Sequence, residues 1–272
     1  MARGEDGALV DPHGGERDLR AGILRHVGEA FAEDPVRILR VARFAARFGF
    51  AVAPATMGLM RKMVEAGEAD ALVPERVWQE ISRGLMELEP SRMIAVLREC
   101  GALARILPEI DATFSAPEVP DRLAARLDRA AQRRHAIEVR YALLVLDLDE
   151  ARAQSLAKRV NPPTECRTLA QAALRDRALL ARANELDAET LLAVLERADA
   201  FRRPERLAHL VEIIQCDALA DAGKPFLPGT CLLRAAEAAR TVDAGTVAKE
   251  NPDDIPGAIR RARLVAIADL QK

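Results

Sequence analysis

Apolar residues in this chain recur every three to four positions, while β-branched or strictly alternating runs are scarce. That period builds one-sided helices rather than sheets, so an all-α fold is expected, with only a short β segment near the N-terminus. Ala8, Leu9 and Val10 read as that strand, followed by the turn Asp11-Pro12-His13-Gly14-Gly15. Helices are expected at about 19–29, 34–48, 54–67, 74–88, 90–100, 119–134, 136–147, 151–160, 164–182, 187–200, 204–221, 229–240 and 255–271. Loops are expected at 49–54, 108–120, 161–163, 223–228 and 251–256, and ATFSAPEVP at 112–120 is the best linker candidate. At 272 residues and 50% hydrophobic, the chain can bury a sizeable core in more than one module.

The formal net charge of −2 excludes a chain that binds nucleic acid through overall basicity, so any such site must be a local patch. Cys100, Cys166, Cys216 and Cys231 are scattered without metal-ligand spacing, which makes a reduced, cytoplasmic setting the default. No apolar run reaches membrane-spanning length, and the first residues are too polar for a signal peptide.

One local patch stands in FAEDPVRILRVARFAARFGF, residues 31 to 50. Asp34 followed by Pro35 is a helix start, and Gly49 is a stop. At 100° per residue, Arg37, Arg40, Arg43 and Arg47 fall within about 120° of the helix circumference. Ile38, Val41, Ala45 and Phe48 fall on a separate, apolar arc. The basic stripe is either a solvated face or a row of cations for phosphates and nucleobase edges, a task that suits the planar guanidinium. Asp34, at the cap, could accept from a base amino group.

A second stripe, Arg122, Arg126, Arg129 and Arg133, falls within about 60° of one helix face. Residues 121 to 182 hold 13 basic and 8 acidic side chains. This face is either ordinary solvated surface or an RNA track. Asp147-Leu148-Asp149 has the spacing of a metal-binding pair in a strand, but the surrounding run reads as a helix, where the two carboxylates point about 160° apart. His13, His26, His135 and His209 are isolated and read as ordinary surface or core residues.

DPHGGERDL, LRHV, FAEDPVRILRVARFAARFGF, PERVWQEI and LRECGALARILPEID occur in an order and spacing that resembles the bacterial tRNA nucleotidyltransferases, the CCA-adding enzymes whose class also includes bacterial poly(A) polymerases. The resemblance is dense from about residue 9 to 111 and looser beyond. It implies a catalytic head followed by a helical neck, body and tail: 1–18 as the end of the head, 19–111 as the neck, 112–182 as the body and 183–272 as the tail. It implies tRNA, CTP and ATP as partners. Glu33-Asp34-Pro35-Val36-Arg37 matches the family's EDxxR motif, which makes Asp34 and Arg37 the base-reading pair and Arg40 a further nucleotide contact. Arg43 and Arg47 are less secure, with one or both expected in structural ion pairs. Glu75-Arg76 matches a short motif read as bracing the neck.

The family's Gly-Ser nucleotide loop, and a D-x-D pair on a strand to hold Mg²⁺, are not found in this sequence. Some relatives carry an xHDLGK phosphohydrolase motif where this chain has LVLDLDEA, which lacks the histidine, so no phosphohydrolase site is expected. The resemblance therefore implies a truncated chain that begins inside the head, binds tRNA weakly alone and adds no nucleotides. A poly(A) polymerase relative and a non-catalytic helical RNA-binding protein are the other readings.

Overall fold

Among the described residues, eight helices begin with proline in their first two positions, where a missing backbone N–H costs nothing. This punctuation sets most of the architecture in the computed structural model, which describes residues 2–3, 6–7, 9–219 and 226–271. Ala8 and residues 223–225 of the loop expected at 223–228 lie outside the described residues. The chain forms two compact units, residues 1–164 and 165–272.

The first unit opens with β1 (Ala2–Arg3) and β2 (Leu9–Val10), which pair antiparallel, and α1 (Gly15–Arg20). The Asp11 carboxylate accepts from the backbone N–H groups of Gly15 and Glu16, both at 2.8 Å, which ties the turn to the start of α1. The helix expected at 19–29 does not form. Gly22, at φ +66°, ends α1, and β3 (Ile23–Leu24) pairs in parallel with β4 (Ala51–Val52). The backbone N–H groups of Ala51 and Ala53 donate to the carbonyls of Gly22 and Leu24 at 2.8 and 2.9 Å. Partners almost thirty residues downstream thus outcompete the local helix.

Next come α2 (Val36–Phe48), α3 (Pro54–Glu65), α4 (Pro74–Leu85) and α5 (Pro90–Glu99). A one-turn 3₁₀ segment, Glu29–Glu33, leads into α2. Helix α2 packs against α4 and α5 through Ile38, Leu39, Ala42, Ala45 and Ala46, all buried. Phe48, expected on the apolar arc, is instead 51% exposed, because Gly49 turns the chain at φ +68° one residue later. Helix α4 lies so close to α5 that a Cβ at Gly84 would stand 2.1 Å from Met93 Sδ.

The stretch beyond Cys100 is more helical than expected: Gly101 breaks the chain at φ +81°, then α6 (Ala102–Ile106) and α7 (Pro108–Thr113) follow. Residues 112–120, expected as a linker, join α7 to α8 (Val119–Gln132) inside the first unit. Ser91, at the start of α5, bonds the Asp128 carboxylate of α8 through its backbone N–H at 3.0 Å and its hydroxyl at 2.6 Å. Helices α9 (Ile137–Val145) and α10 (Glu150–Val160) complete the unit.

The second unit holds α11 (Thr164–Ala181), α12 (Ala188–Arg197), α13 (Pro204–Asp217), α14 (Leu227–Arg240), α15 (Ala244–Glu250) and α16 (Ile255–Asp269). Helix α16 packs on α12 and α14, around Leu192, Leu195, Leu232, Ala236 and Ile267. Asp176 is buried and ion-paired to Arg175 at 2.7 Å and Arg197 at 2.9 Å. Helix α15 was not expected from the sequence; it rests on Asp243, whose side chain caps it by accepting from Gly245 and Thr246. Among the described residues no helix is long and apolar enough to cross a membrane.

The α4–α5 contact yields a stability prediction. Gly84→Ala forces Met93, itself fully buried, out of its place, and is expected to destabilise the chain by about 1–3 kcal/mol. A urea or thermal unfolding curve that matches the unsubstituted chain would contradict it.

Candidate nucleotide and RNA interface

Helix α2 starts from a carboxylate. Asp34 Oδ1 accepts from the Val36 backbone N–H at 3.1 Å, so the cap expected at this residue is present. Its other oxygen, Oδ2, accepts from the Arg76 guanidinium of α4 at 2.9 Å. Arg76 thus ties the start of α4 to the start of α2. Partial burial works against ionisation of Asp34. The Arg76 hydrogen bond, the Val36 N–H and the charges of Arg76 and Arg37 outweigh it and hold the carboxyl below the ordinary range. The Asp34 side chain stays 32% exposed, and a carboxylate offers about four lone-pair sites, so capacity for an outside donor remains.

Arg37 stands one turn on. One of its terminal nitrogens donates to the Ala30 carbonyl in the 3₁₀ segment, which leaves most of its five N–H donors for other partners. Arg40, a further turn along, is exposed. Arg43 differs. It is 7% exposed, its Nε donates to Glu80 Oε2 of α4 at 2.7 Å, and Glu87 lies 3.5 Å away. Arg43 therefore makes the structural pair expected of it or of Arg47. Arg47 is exposed, with its guanidinium 5.3 Å from the Phe48 ring centroid. The stripe read from spacing thus divides into one buried cross-link and three outward cations.

The α8 stripe divides more sharply. Arg126 is fully buried and pairs with Asp147 at 2.8 Å, and Arg122 pairs with the same carboxylate at 2.6 Å. Arg126 faces the interior and cannot belong to a surface track. Arg129 and Arg133 are half-buried and have their own partners within the chain. Asp147 and Asp149 do not act together. Helix α9 ends at Val145, and Asp149 caps α10 by accepting from the Arg152 N–H at 2.8 Å. Spacing alone could not show this, because the pairing acid lies 21 positions beyond Arg126.

Among the described residues, no three His, Cys, Asp or Glu side chains gather so that they could hold a metal ion. The described residues do not fit the Mg²⁺ that the family resemblance implies. One histidine is more constrained than expected. The Thr56 hydroxyl, fully buried, accepts from the His26 backbone N–H at 3.0 Å and lies 2.8 Å from its Nδ1. The LRHV motif gave the only sequence sign of this residue.

Residues 49–114 match a family model described as "Probable RNA and SrmB- binding site of polymerase A", a span that covers β4 to α7. The chain is 48% identical over 297 residues to the multifunctional CCA protein of Burkholderia mallei (strain SAVP1), across 96% of this chain and 72% of that protein. It belongs to the CCA-adding tRNA nucleotidyltransferase family. The multifunctional CCA protein of Aromatoleum aromaticum (strain DSM 19018 / LMG 30748 / EbN1) is 46% identical, over 98% of this chain and 74% of its own length. Among solved structures, a CCA-adding enzyme in complex with ATP superposes at a TM-score of 0.66 and 17% identity, over 95% of this chain and 61% of its own. A tRNA nucleotidyltransferase with a primer tRNA and an incoming ATP analog does so at 0.60 and 22%, over 77% and 61%. These two likenesses show the shared fold. Asp147 neutralises Arg122 and Arg126.

Two outcomes follow for these arginines. Arg126→Ala leaves part of the buried Asp147 charge unmatched and is expected to cost about 3 kcal/mol, read by denaturant unfolding. Arg76→Ala removes the stronger of the two contacts that keep Asp34 ionised, so its pKa should rise toward the ordinary 3.8. For a depressed carboxylate, the linked stability is present above the unfolded pKa and fades as pH falls through the folded one. An NMR titration of Asp34 should therefore show the midpoint of the variant above that of the unsubstituted chain; equal midpoints would refute the bracing role.

Proposed function

We propose that this chain selects the incoming nucleotide and engages tRNA during CCA addition, with Asp34 and Arg37 as the base-reading pair and Arg40 as a further nucleotide contact. The observation that carries the reading is a carboxylate fixed by Val36 and Arg76 with a guanidinium one turn away. Cytosine and adenine each present an amino donor beside a ring-nitrogen acceptor on their Watson–Crick edge. A carboxylate acceptor next to a guanidinium donor matches that order in both. Uracil and guanine present a carbonyl and a ring N–H at the same places. Asp34 would then face an acceptor and Arg37 a donor, and the buried polar groups would be left unpaired. One pair thus accepts C and A and rejects U and G.

In this reading 19–111 form the neck that reads the nucleotide, 112–182 the body and 183–272 the tail, with 1–18 belonging to the head. The setting is the cytoplasm, where tRNA is matured. On α8, Arg126 is buried and Arg122 is paired with Asp147, so the four-arginine stripe does not serve as one continuous RNA track.

Equilibrium titration with CTP, ATP, UTP and GTP tests the reading. The unsubstituted chain should favour CTP and ATP over UTP and GTP by about tenfold or more. Arg37→Ala should erase that preference. If Arg37→Ala leaves CTP and ATP binding and their margin over UTP unchanged, the base-reading assignment falls.

A further inference from the structure

An open groove of about 640 Å³ runs between α3 and the segment that precedes α2. His26 and Glu29 stand on one side, and Ala55, Gly58 and Lys62 on the other. The last three fall on one face of α3. Gly58 is the informative residue. A mid-helix glycine is less favourable than alanine, and internal packing often explains one that persists. Here a Cβ at Gly58 would meet nothing within 4 Å, so the protein interior does not require it. The bare backbone faces the groove, where something outside the chain can come close.

His26 presents a fixed polar ring to this space. The Thr56 hydroxyl accepts from the His26 backbone N–H at 3.0 Å and lies 2.8 Å from Nδ1, so one helix residue holds both the backbone and the ring of His26. The ring is also held against Phe31, with centroids 5.7 Å apart. Lys62 adds an exposed ammonium, and Glu29 adds an acceptor.

We infer that this groove holds the sugar-phosphate backbone of the single-stranded 3′ end of tRNA, which leads the terminal nucleotide to the base-reading pair. Lys62 takes phosphate oxygens, the His26 ring adds a polar contact beside it, Glu29 accepts from a ribose hydroxyl, and Gly58 lets the strand lie close to α3. The occupant follows from continuity. The 3₁₀ segment Glu29–Glu33 supplies Glu29 to the groove and its Ala30 carbonyl to Arg37, so groove and base-reading pair share one short segment. Helix α3 also lies within the span matched by the RNA-binding family model. The inference rests on the function proposed above and adds to it a path for the primer strand.

The test is fluorescence anisotropy of two labelled tRNAs, one ending in its unpaired 3′ nucleotides and one trimmed back to the acceptor stem. Lys62→Glu and Gly58→Leu should each weaken binding of the first about tenfold and leave the second unchanged. Lys62→Ala should lower the salt slope for the first by about one. Gly58→Leu serves as its own folding control, since it should unfold no earlier than the unsubstituted chain. Equal affinity of all variants for both tRNAs overturns the groove while the nucleotide reading stands on its own titration. Equal losses on both tRNAs overturn the 3′-end assignment. Failure of the unsubstituted chain to bind either tRNA overturns the groove and the tRNA half of the proposed function together.

Discussion

The buried pair between Arg43 and Glu80 fixes how α2 can sit. A guanidinium withdrawn from water is tolerable only against a matching carboxylate, and the penalty for leaving either group unpaired is several kcal/mol. Glu80 is reached in a single geometry, with Nε donating at 2.7 Å. That contact sets the rotation of α2 about its axis. Once Arg43 points to α4, helical geometry sends Arg40 outward and leaves Arg37 at the edge, beside Asp34. Arg76 and Asp34 add a second tie at the start of the same two helices. One tie is buried and the other half-exposed, so the first governs stability and the second governs the state of the carboxylate. The alanines of α2 contribute by their size, since Ala42, Ala45 and Ala46 are all buried at the surface where α4 and α5 approach.

Identical residue types at identical spacing end up with opposite roles because of acids far away in sequence. Arg37 and Arg43 lie on one stripe, yet only Arg43 meets a glutamate 37 positions on. Arg122 and Arg126 looked like successive steps of an exposed track, yet Asp147 folds back onto both. A helical wheel reports which residues share a face; it does not report which face another helix will cover. For α8 the apolar side was legible, since Leu123, Leu127 and Ala130 are buried as their spacing requires. The arginine face was not legible, because its cover is provided by the turn after α9.

Most helix positions were legible for a local reason. Prolines at helix starts and glycines at helix ends act within a few residues, and those at Pro54, Pro74, Pro90 and Gly49 act where the sequence placed them. The misses are of two kinds. The β3–β4 pair is non-local, and two residues per strand leave no periodic signal. Helices α6, α7 and α15 span only five to seven residues, too short for a 3.6-residue period to stand out from a loop. Within the candidate site, Asp34 was visible as a cap. Arg76 was expected as a brace from its motif, but its hold on Asp34, and the hold of Thr56 on His26, join residues 42 and 30 positions apart and were not visible.

Arg76 also bears on the base-reading role proposed for Asp34 and Arg37. It donates to one oxygen of Asp34, and the Val36 N–H donates to the other, so the carboxylate is held in one orientation and its pKa lies below the ordinary range. A protonated acid could donate as well as accept, and would then tolerate the carbonyl of uracil or guanine. An ionised carboxylate can only accept. In the proposed function that acceptor-only state separates C and A from U and G, and the contribution of Arg76 is to fix the orientation in which the Asp34 carboxylate is presented, by the same contact that ties α4 to α2.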